Sequence, residues 1–523
     1  MRETAYTTGV RRHFFILVSL GLLTLPVTGQ WEREDIGFEA IQSRARDLAN
    51  KPYEEPNQNL PQWMKDLTYD QYRDIRFNQD QALWALDKLP FRAMFFHPGY
   101  LFQQPVTLNE FTTSHQQQIR LSEAFFKYGP LIAKHGELPT DGGFAGFRLH
   151  SPLNSPEVYD ELIAFQGASY WRALGKSQHY GISSRGIAVD TGIDGITEEF
   201  PSFREFWLRK PDVGDTQARI YALLDGPSYS GAYQFTISPE NTTLVDVKAV
   251  LFTRKAVQRL GIAPMSSMFW FGENSRRRFD DFRPEVHDSD GLAIRMGSGE
   301  RLWRPITNDS SKLETSYFDM EICAGFGLLQ RDRRFSSYED DEASYHLRPS
   351  LWIEPTSDWG PGRVMLMEIP ATNEFVDNVV AMWEPADIPK PGDRIEFSYR
   401  QHWTINEDPS QADGRVVATR IGKHDWLPGQ RTVIVEFTGN ALSQQTEVPL
   451  TPVVQAVGPG SELVKIQGIT CQPLPDARWR VAFQISAAAE GANLEDIGPV
   501  EFRCFIKRGE DFLTETWVSR ITP

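Results

Sequence analysis

Cysteine is scarce in this sequence, and the common metal- and nucleotide-binding motifs are missing. The 523 residues include three cysteines, Cys323, Cys471 and Cys504, which form no C-x-x-C pair and no zinc-ligand spacing. No G-x-G-x-x-G, Walker loop or H-E-x-x-H occurs either. We therefore expect no metal ion and no cofactor. Cys471 and Cys504 could pair in an oxidising compartment, and the sequence leaves open whether they do so or whether all three thiols are free.

Positive charge is in deficit. Lysine and arginine number 54 against 70 aspartates and glutamates, for a net charge of -16. Such a surface repels phosphate backbones, and no basic stripe offsets it, so we expect no nucleic acid partner. Aromatic residues are plentiful, with 14 Trp, 16 Tyr and 33 Phe. This richness fits large β cores and equally a carbohydrate cleft, where flat rings stack on sugar faces.

Long hydrophobic runs are absent except for one near the amino terminus. Residues 14–27 (FFILVSLGLLTLPV) follow Arg11 and Arg12 and end beside the small residues Thr28 and Gly29. The run is too short to span a bilayer, so it predicts a signal peptide over residues 1–29. The paired arginines resemble a twin-arginine export signal. We expect no membrane insertion of the mature chain.

Hydrophobic periodicity predicts a few helices and many strands. Helical spacing covers Phe38–Asn50, and Ser155-Pro156 reads as a cap and first turn of a helix that continues through Gln166. Glu198–Leu208 is a further predicted helix, rich in Phe. Alternation then predicts strands at Arg219–Leu224, Ala232–Ile237, Leu244–Thr253, Val364–Ile369 and Asn378–Trp383. Closely spaced strands without regular intervening helices indicate a large antiparallel assembly.

A proline-rich segment, Pro385–Pro391, divides the chain. Beyond it, seven short predicted strands fall within about 130 residues, the pattern of an immunoglobulin-like sandwich. The prediction is a mainly β protein. A large N-terminal antiparallel β-sandwich occupies residues 30–388, and a small immunoglobulin-like β-sandwich occupies residues 391–523.

Three acids are concentrated in Met365–Pro385 (MLMEIPATNEFVDNVVAMWEP), where a polar loop joins two apolar strands. Glu368, Glu374 and Asp377 are therefore placed beside apolar walls. Such surroundings raise the pKa of a carboxyl group, as a general acid requires. The alternative is that these acids close a turn or pair with an arginine.

Long blocks of the chain resemble one known family, the periplasmic glucan biosynthesis proteins G and D (OpgG and OpgD, also called MdoG and MdoD). The blocks run in the family's order and include GFAGFRL at 143–149, GASYWRAL at 167–174, YGISSRGIAVDT at 180–191, GIAPMSSMFWFGEN at 261–274, RPEVHDSDGL at 283–292, GFGLLQRDRRFSSYED at 325–340 and RPSLWIEP at 348–355. MEIP and VDNVVAMWEP in the acidic stretch also match. The twin-arginine-like signal favours the D type.

The resemblance implies the two β units predicted above, a periplasmic location and a substrate with a β-1,2-linked glucose backbone. Family members are understood as inverting glycoside hydrolases, and some relatives carry out transglycosylation. Three functions follow as alternatives: an endo-acting β-1,2-glucanase, a transglycosylase on the same donor, and a non-catalytic glucan-binding or assembly protein. A homodimer is also compatible with the resemblance.

The resemblance also implies catalytic residues. Asp377, in the D-N pair, matches the general acid, and Asp288, the first aspartate of H-D-S-D, matches a base that acts through a relay. An inverting enzyme needs two such carboxyl groups roughly 6.5–9.5 Å apart, or more with a relay, so that water fits between them.

The remaining candidates are substrate-binding or relay residues. Glu374 would hold Asp377 protonated or bind a sugar hydroxyl, unless it is a solvated turn acid. His287 and Asp290 would orient the base, or would simply satisfy each other. Tyr345, near Arg348, would join the relay. Candidates for sugar stacking are Trp352, Trp359 and Trp383, of which Trp383 equally fits the core; Trp426 is in a loop that could reach a cleft, and His97 and Arg185 are expected at the cleft rim.

Overall fold

The computed structural model describes residues 36–521 except 57–58, 140, 276–278, 406–408, 424–428 and 445. The predicted signal peptide and Trp426 lie outside the described residues. The described part forms three α-helices, namely α1 Phe38–Ala49, α2 Gln62–Lys65 and α3 Tyr69–Arg73. None of its helices has the length and apolar character needed to cross a membrane.

Thirty-three strands make up nearly half of the described chain. The first sixteen are β1 Ile75–Phe77, β2 Arg92–Phe96, β3 Thr107–Phe111, β4 Gln116–Ile119, β5 Phe126–Tyr128, β6 Gly146–Ser155, β7 Val158–Gln166, β8 Tyr170–Ala173, β9 Ser183–Arg185, β10 Ile187–Val189, β11 Ser202–Arg209, β12 Ala218–Asp225, β13 Tyr229–Ser238, β14 Thr243–Thr253, β15 Leu260–Ser267 and β16 Phe269–Phe271. The others are β17 Val286–His287, β18 Gly291–Met296, β19 Arg301–Pro305, β20 Glu314–Met320, β21 Cys323–Leu329, β22 Ser350–Pro355, β23 Gly362–Glu368, β24 Val379–Pro385, β25 Arg394–Thr404, β26 Arg415–Lys423, β27 Arg431–Thr438, β28 Leu450–Val457, β29 Val464–Pro473, β30 Trp479–Ala487, β31 Val500–Arg508, β32 Asp511–Phe512 and β33 Thr516–Ile521.

Two large sheets form the main body. One has ten strands in the order β2-β6-β7-β8-β9-β15-β24-β23-β20, with β10 paired to β15. The other has fifteen strands in the order β28-β31-β33-β19-β18-β21-β22-β25-β14-β13-β12-β11-β3-β4, with β32 paired to β31. Side chains from both sheets meet in one core, where the ring of Phe165 on β7 lies 5.1 Å from that of Phe235 on β13. The predicted β-sandwich class is confirmed.

The helix predicted from Ser155 to Gln166 is wrong. This segment is the second half of a hairpin in which β6 and β7 pair antiparallel, with Ser155 opposite Val158. Pro156 therefore occupies a turn, which its fixed φ suits as well as a first helical turn. The apolar side chains Ile163 and Phe165 alternate toward the inter-sheet core, and this packing overrides the local capping signal.

The helix predicted over Glu198–Leu208 is also wrong, since Ser202–Arg209 is strand β11. Phe203 and Phe206 are three residues apart, which suggested a helix, yet both enter the core. The register of β11 against β12 shifts between Phe203 and Glu205. Such a β-bulge lets two residues at odd spacing face the same side. Helix α1 is confirmed, and it buries Ile41 and Ala45 against β12 to β14.

A second core lies in the C-terminal part, where β26-β27-β30-β29 form a four-stranded sheet. Its side chains, such as Phe483 and Trp517, pack between this sheet and β28, β31 and β33. Strand β25 follows the proposed boundary at 388–391, yet it pairs with β14 and β22 in the large sheet. The parallel pairing of β33 with β19 joins the C-terminal strands to the same sheet. The three cysteines are free thiols.

Candidate active site

Two consecutive residues, Met268 and Phe269, anchor the chain at Asp288 and at Asn378, the residue after Asp377. The main-chain N–H of Asp288 donates to the carbonyl of Met268 (2.8 Å). The side chain of Asn378 accepts from the main-chain N–H of Phe269 (2.8 Å) and donates to its carbonyl (3.0 Å). Because Met268 and Phe269 are adjacent, the loop that carries Asp377 and the one that carries Asp288 are fixed relative to each other.

Asp288 is a buried carboxylate. It is 3% exposed, and Nη1 of Arg348 lies 2.6 Å from its Oδ1. Burial raises the pKa of Asp288, the arginine acts against this, and the charge of Asp377 raises it further. Gly181 leaves room for the pair, since a Cβ added there would lie 2.9 Å from the Cβ of Arg348 and 3.2 Å from the Cγ of Asp288.

Asp377 lies at the surface, in contrast to Asp288. Its side chain is 42% exposed, and Nη2 of Arg172 on β8 lies 3.4 Å from its Oδ2. The carboxylate of Asp377 is therefore reachable from solvent, with the guanidinium of Arg172 beside it. Arg172 was missed by the sequence reasoning. It lies in the block at 167–174, where it is the charged residue of an otherwise apolar and aromatic strand.

Glu374 is an anchored acid and not a solvated one. It accepts hydrogen bonds from Nη1 (2.9 Å) and Nη2 (3.1 Å) of Arg283 and from the hydroxyl of Tyr345. Partial burial acts to raise the pKa of Glu374, but these hydrogen bonds outweigh it and hold the pKa below its usual value. Arg283, which the sequence reasoning also missed, is in turn bound by Asp281 (2.8 Å) and Asp340 (2.7 Å).

Tyr345 connects these groups. Its hydroxyl donates to Glu374, and the guanidinium of Arg348 lies 4.2 Å from the centre of its ring. Burial, followed by the bond to Glu374, raises the pKa of Tyr345. One continuous set of contacts thus runs from Asp288 through Arg348 and Tyr345 to Glu374.

His287 and Asp290 flank Asp288 in sequence but bind other groups. His287 Nε2 lies 2.8 Å from Glu285 and Nδ1 lies 2.8 Å from Gln330. Burial lowers the pKa of His287, but Glu285 more than compensates, so the pKa is raised. Asp290 accepts the main-chain N–H of Arg331 (2.9 Å), and burial raises its pKa. These residues support the strand behind Asp288, with no hydrogen bond to its carboxylate among the contacts of the described chain.

Four other predicted residues lie in the protein interior. Trp352 is 1% exposed within β22, so the prediction that it stacks on sugar is wrong. Trp383 is buried in β24, which is the core alternative predicted for it. Arg185 and His97 are buried as well, not at a rim. Arg185 pairs with Glu198 (2.7 Å), and His97 contacts the carbonyl of Pro98 (2.6 Å) and the Tyr128 hydroxyl (3.2 Å). Trp359 is half-buried and donates to the Ser398 carbonyl.

No group of three histidine, cysteine, aspartate or glutamate side chains in the described chain is arranged to hold a metal ion. The site consists of carboxylates, arginines and a tyrosine. Such a set can move protons and hold hydroxyl groups by itself.

Comparison with known proteins gives one consistent result. The family model described as periplasmic glucan biosynthesis protein, MdoG, matches residues 36–521. Glucans biosynthesis protein G of Ralstonia nicotianae is 44% identical over 498 residues, 93% of this chain and 96% of that protein. Glucans biosynthesis protein G of Bradyrhizobium diazoefficiens is 41% identical, over 92% of this chain and 93% of its own.

A D-type relative is similar to nearly the same degree. Glucans biosynthesis protein D 1 of Ralstonia nicotianae is 41% identical over 502 residues, 92% of this chain and 91% of that protein. The assignment to the D type stays a prediction. The family match extends over residues 36–521, and on this ground the chain belongs to the MdoG family of periplasmic glucan biosynthesis proteins.

Proposed function

We propose that this protein acts in the periplasm, in glucan biosynthesis, as an inverting glycoside hydrolase that cleaves β-1,2-linked glucan. The observation that carries the proposal is a pair of aspartates in loops anchored to the adjacent residues Met268 and Phe269, one aspartate buried and one exposed. The relatives are named for glucan biosynthesis, which supplies the glucan as substrate. The linkage and the inverting course come from the family resemblance described above.

In the proposed reaction Asp377 is the general acid. Its side chain is exposed enough to meet the glycosidic oxygen of a polymer, whereas a buried group could not. Arg172 moves aside when the glucan binds, and Asp377, protonated from solvent, gives its proton to the glycosidic oxygen of the departing sugar. A positioned acid of this kind typically contributes about 10²–10⁴-fold to the rate.

Asp288 is the proposed base. Its carboxylate is enclosed beside Arg348, so it removes the proton from the attacking water through a relay and not by contact with the sugar. The raised pKa of Asp288 makes it a stronger base than an ordinary aspartate. The Tyr345 hydroxyl donates to Glu374 and keeps its own oxygen available to accept a hydrogen bond from water or from a sugar hydroxyl.

The test is turnover of linear β-1,2-glucan by the purified protein, with products analysed by size, linkage and anomeric configuration. Asp377→Asn and Asp288→Asn should each reduce the rate by about 10²-fold or more. Asp387→Asn removes an exposed carboxylate ten residues beyond the proposed acid and is the matched control. Short linear products with inverted configuration support hydrolysis.

Two results would redirect the proposal. Cyclic or newly linked products would identify transglycosylation, the second of the alternatives from the sequence. Equal behaviour of the wild type and Asp377→Asn on this glucan would remove the enzyme assignment and leave a binding or assembly role.

A further inference from the structure

Two phenylalanine side chains project into solvent beside the Arg283–Glu374 ion pair. Phe375 is 89% exposed and directly follows Glu374, while Phe282 is 80% exposed and directly precedes Arg283. Single exposed apolar residues are common on protein surfaces and need no explanation. Here, however, the two are attached to opposite ends of one bidentate ion pair, which joins the loops that carry them.

We propose that Phe375 and Phe282 form an aromatic subsite that binds a glucose unit of the glucan next to Asp377. This inference rests on the proposed function, because it takes the glucan as the ligand. It adds two substrate-contacting residues that neither the sequence motifs nor the acid pair had indicated.

Both rings are presented by fixed backbone. On one side, Asp281 accepts hydrogen bonds from the main-chain N–H of Arg283 (2.9 Å) and from its Nε (3.0 Å), which closes a tight loop around Phe282. On the other side, the main-chain N–H of Phe375 donates to Oδ1 of Asn373 (2.9 Å). Aromatic side chains on an ordered backbone lose little conformational freedom when a ligand binds, which favours affinity.

The chemistry around the rings suits a neutral, polyhydroxylated ligand. Glu374, Asp281 and Asp340 share the single cation of Arg283, and Asp377 is paired with Arg172, so this surface carries net negative charge. Such a surface repels anions but does not disfavour a neutral ligand. A sugar offers an apolar C–H face to a ring and hydroxyl groups to the surrounding acids and arginines. Because Asp377 follows Phe375 by two residues, a sugar stacked on Phe375 would place its glycosidic oxygen near the proposed acid.

The test separates binding from turnover. Binding of linear β-1,2-glucan oligosaccharides is measured by titration calorimetry in the Asp377→Asn background, where no cleavage interferes. Adding Phe375→Ala or Phe282→Ala should weaken binding by about tenfold, the effect of losing one ring contact. Phe375→Trp should retain the affinity, whereas Phe375→Leu should behave like the alanine variant. All changes are at exposed positions, so folding should be preserved.

Phe512→Ala is the matched control, because it removes a 70% exposed ring from the C-terminal unit. It should leave the affinity unchanged. In the active enzyme, Phe375→Ala should raise KM more than it lowers kcat. Unchanged affinity in both phenylalanine variants would overturn the subsite. A lower oligomeric state of these variants than of the wild type in sedimentation would also overturn it, since the two rings would then contact a second copy of the chain.

The two proposals fail in distinguishable ways. Glucan binding that depends on Phe375, with no cleavage by the wild type, would retain the subsite and refute the hydrolase. Cleavage that depends on Asp377 but not on either phenylalanine would refute the subsite alone.

Discussion

Asn378→Asp replaces the side-chain amide nitrogen of the residue after the proposed acid by an oxygen. This change should destabilise the protein by about 4 kcal/mol. The Asn378 side chain is fully buried, and its Nδ2 donates to the carbonyls of Phe269 (3.0 Å) and Ile369 (3.0 Å). An aspartate of the same shape cannot donate to either carbonyl when it is ionised. The buried carbonyl of Phe269 and the partly buried carbonyl of Ile369 each lose a donor at a cost of about 1–3 kcal/mol, and the two costs together give the figure above.

The assay is urea unfolding followed by tryptophan fluorescence, at pH 7.5 and again at pH 5. The introduced carboxyl group is buried between carbonyl oxygens, so its pKa is raised, and protonation restores one donor. The deficit should therefore shrink as the pH falls. Asn373→Asp is the matched control, since the Asn373 bond to the Phe375 N–H uses the side-chain oxygen, which aspartate keeps. A loss below about 1 kcal/mol for Asn378→Asp at pH 7.5 would refute this account of how the loop is held.

Two further predictions concern titrating groups. Arg348→Gln removes the cation that opposes the raised pKa of Asp288, so the acid limb of the pH–rate profile should move to higher pH; an unmoved limb would show that the ionisation of Asp288 does not control the rate. His97 is buried with its pKa lowered to about 4, so protonation favours the unfolded state and stability falls as the pH drops from about 6.5 toward 4. His97→Gln should therefore reduce the loss of unfolding free energy between pH 7.5 and 4.5 by about 2 kcal/mol, whereas the exposed His115→Gln should not.

The β class could be predicted from sequence because apolar and polar residues alternate along a strand wherever only one of its faces is buried. Strands β12 to β14 match their predicted positions within a few residues. The two false helices arose where local signals were ambiguous. A Ser-Pro pair serves a turn as well as a helix start, and the bulge in β11 gives Phe203 and Phe206 a helical spacing. Both ambiguities are resolved by pairing with strands that are distant in sequence, which no local pattern contains.

The candidate site was partly predictable for a similar reason. Asp288 and Asp377 occupy recognisable motifs, but their partners Arg172 and Arg283 are ordinary arginines within longer matched blocks. What singles them out is contact across the fold: Arg172 is 205 residues from Asp377, and Arg283 is 91 residues from Glu374. Trp352 illustrates the opposite error, a residue wrongly predicted to be in the site. An aromatic residue in a matched block suggested sugar stacking, and only the structure shows that it is buried.

The difference in exposure between Asp377 and Asp288 accounts for their different roles in the proposed mechanism, as general acid and as base. A general acid must reach an oxygen within a bulky polymer, so it has to stand at the surface, and there an arginine such as Arg172 can hold it until substrate arrives. A base needs to reach only a water molecule or a relay, so it can be buried, where the loss of solvation raises its pKa. Because Met268 and Phe269, which directly follow β15 of the ten-stranded sheet, anchor both loops, the end of this strand sets the relative position of the two groups. The fold therefore supplies the geometry of the proposed reaction, and burial, the largest of several influences, raises the pKa of the proposed base.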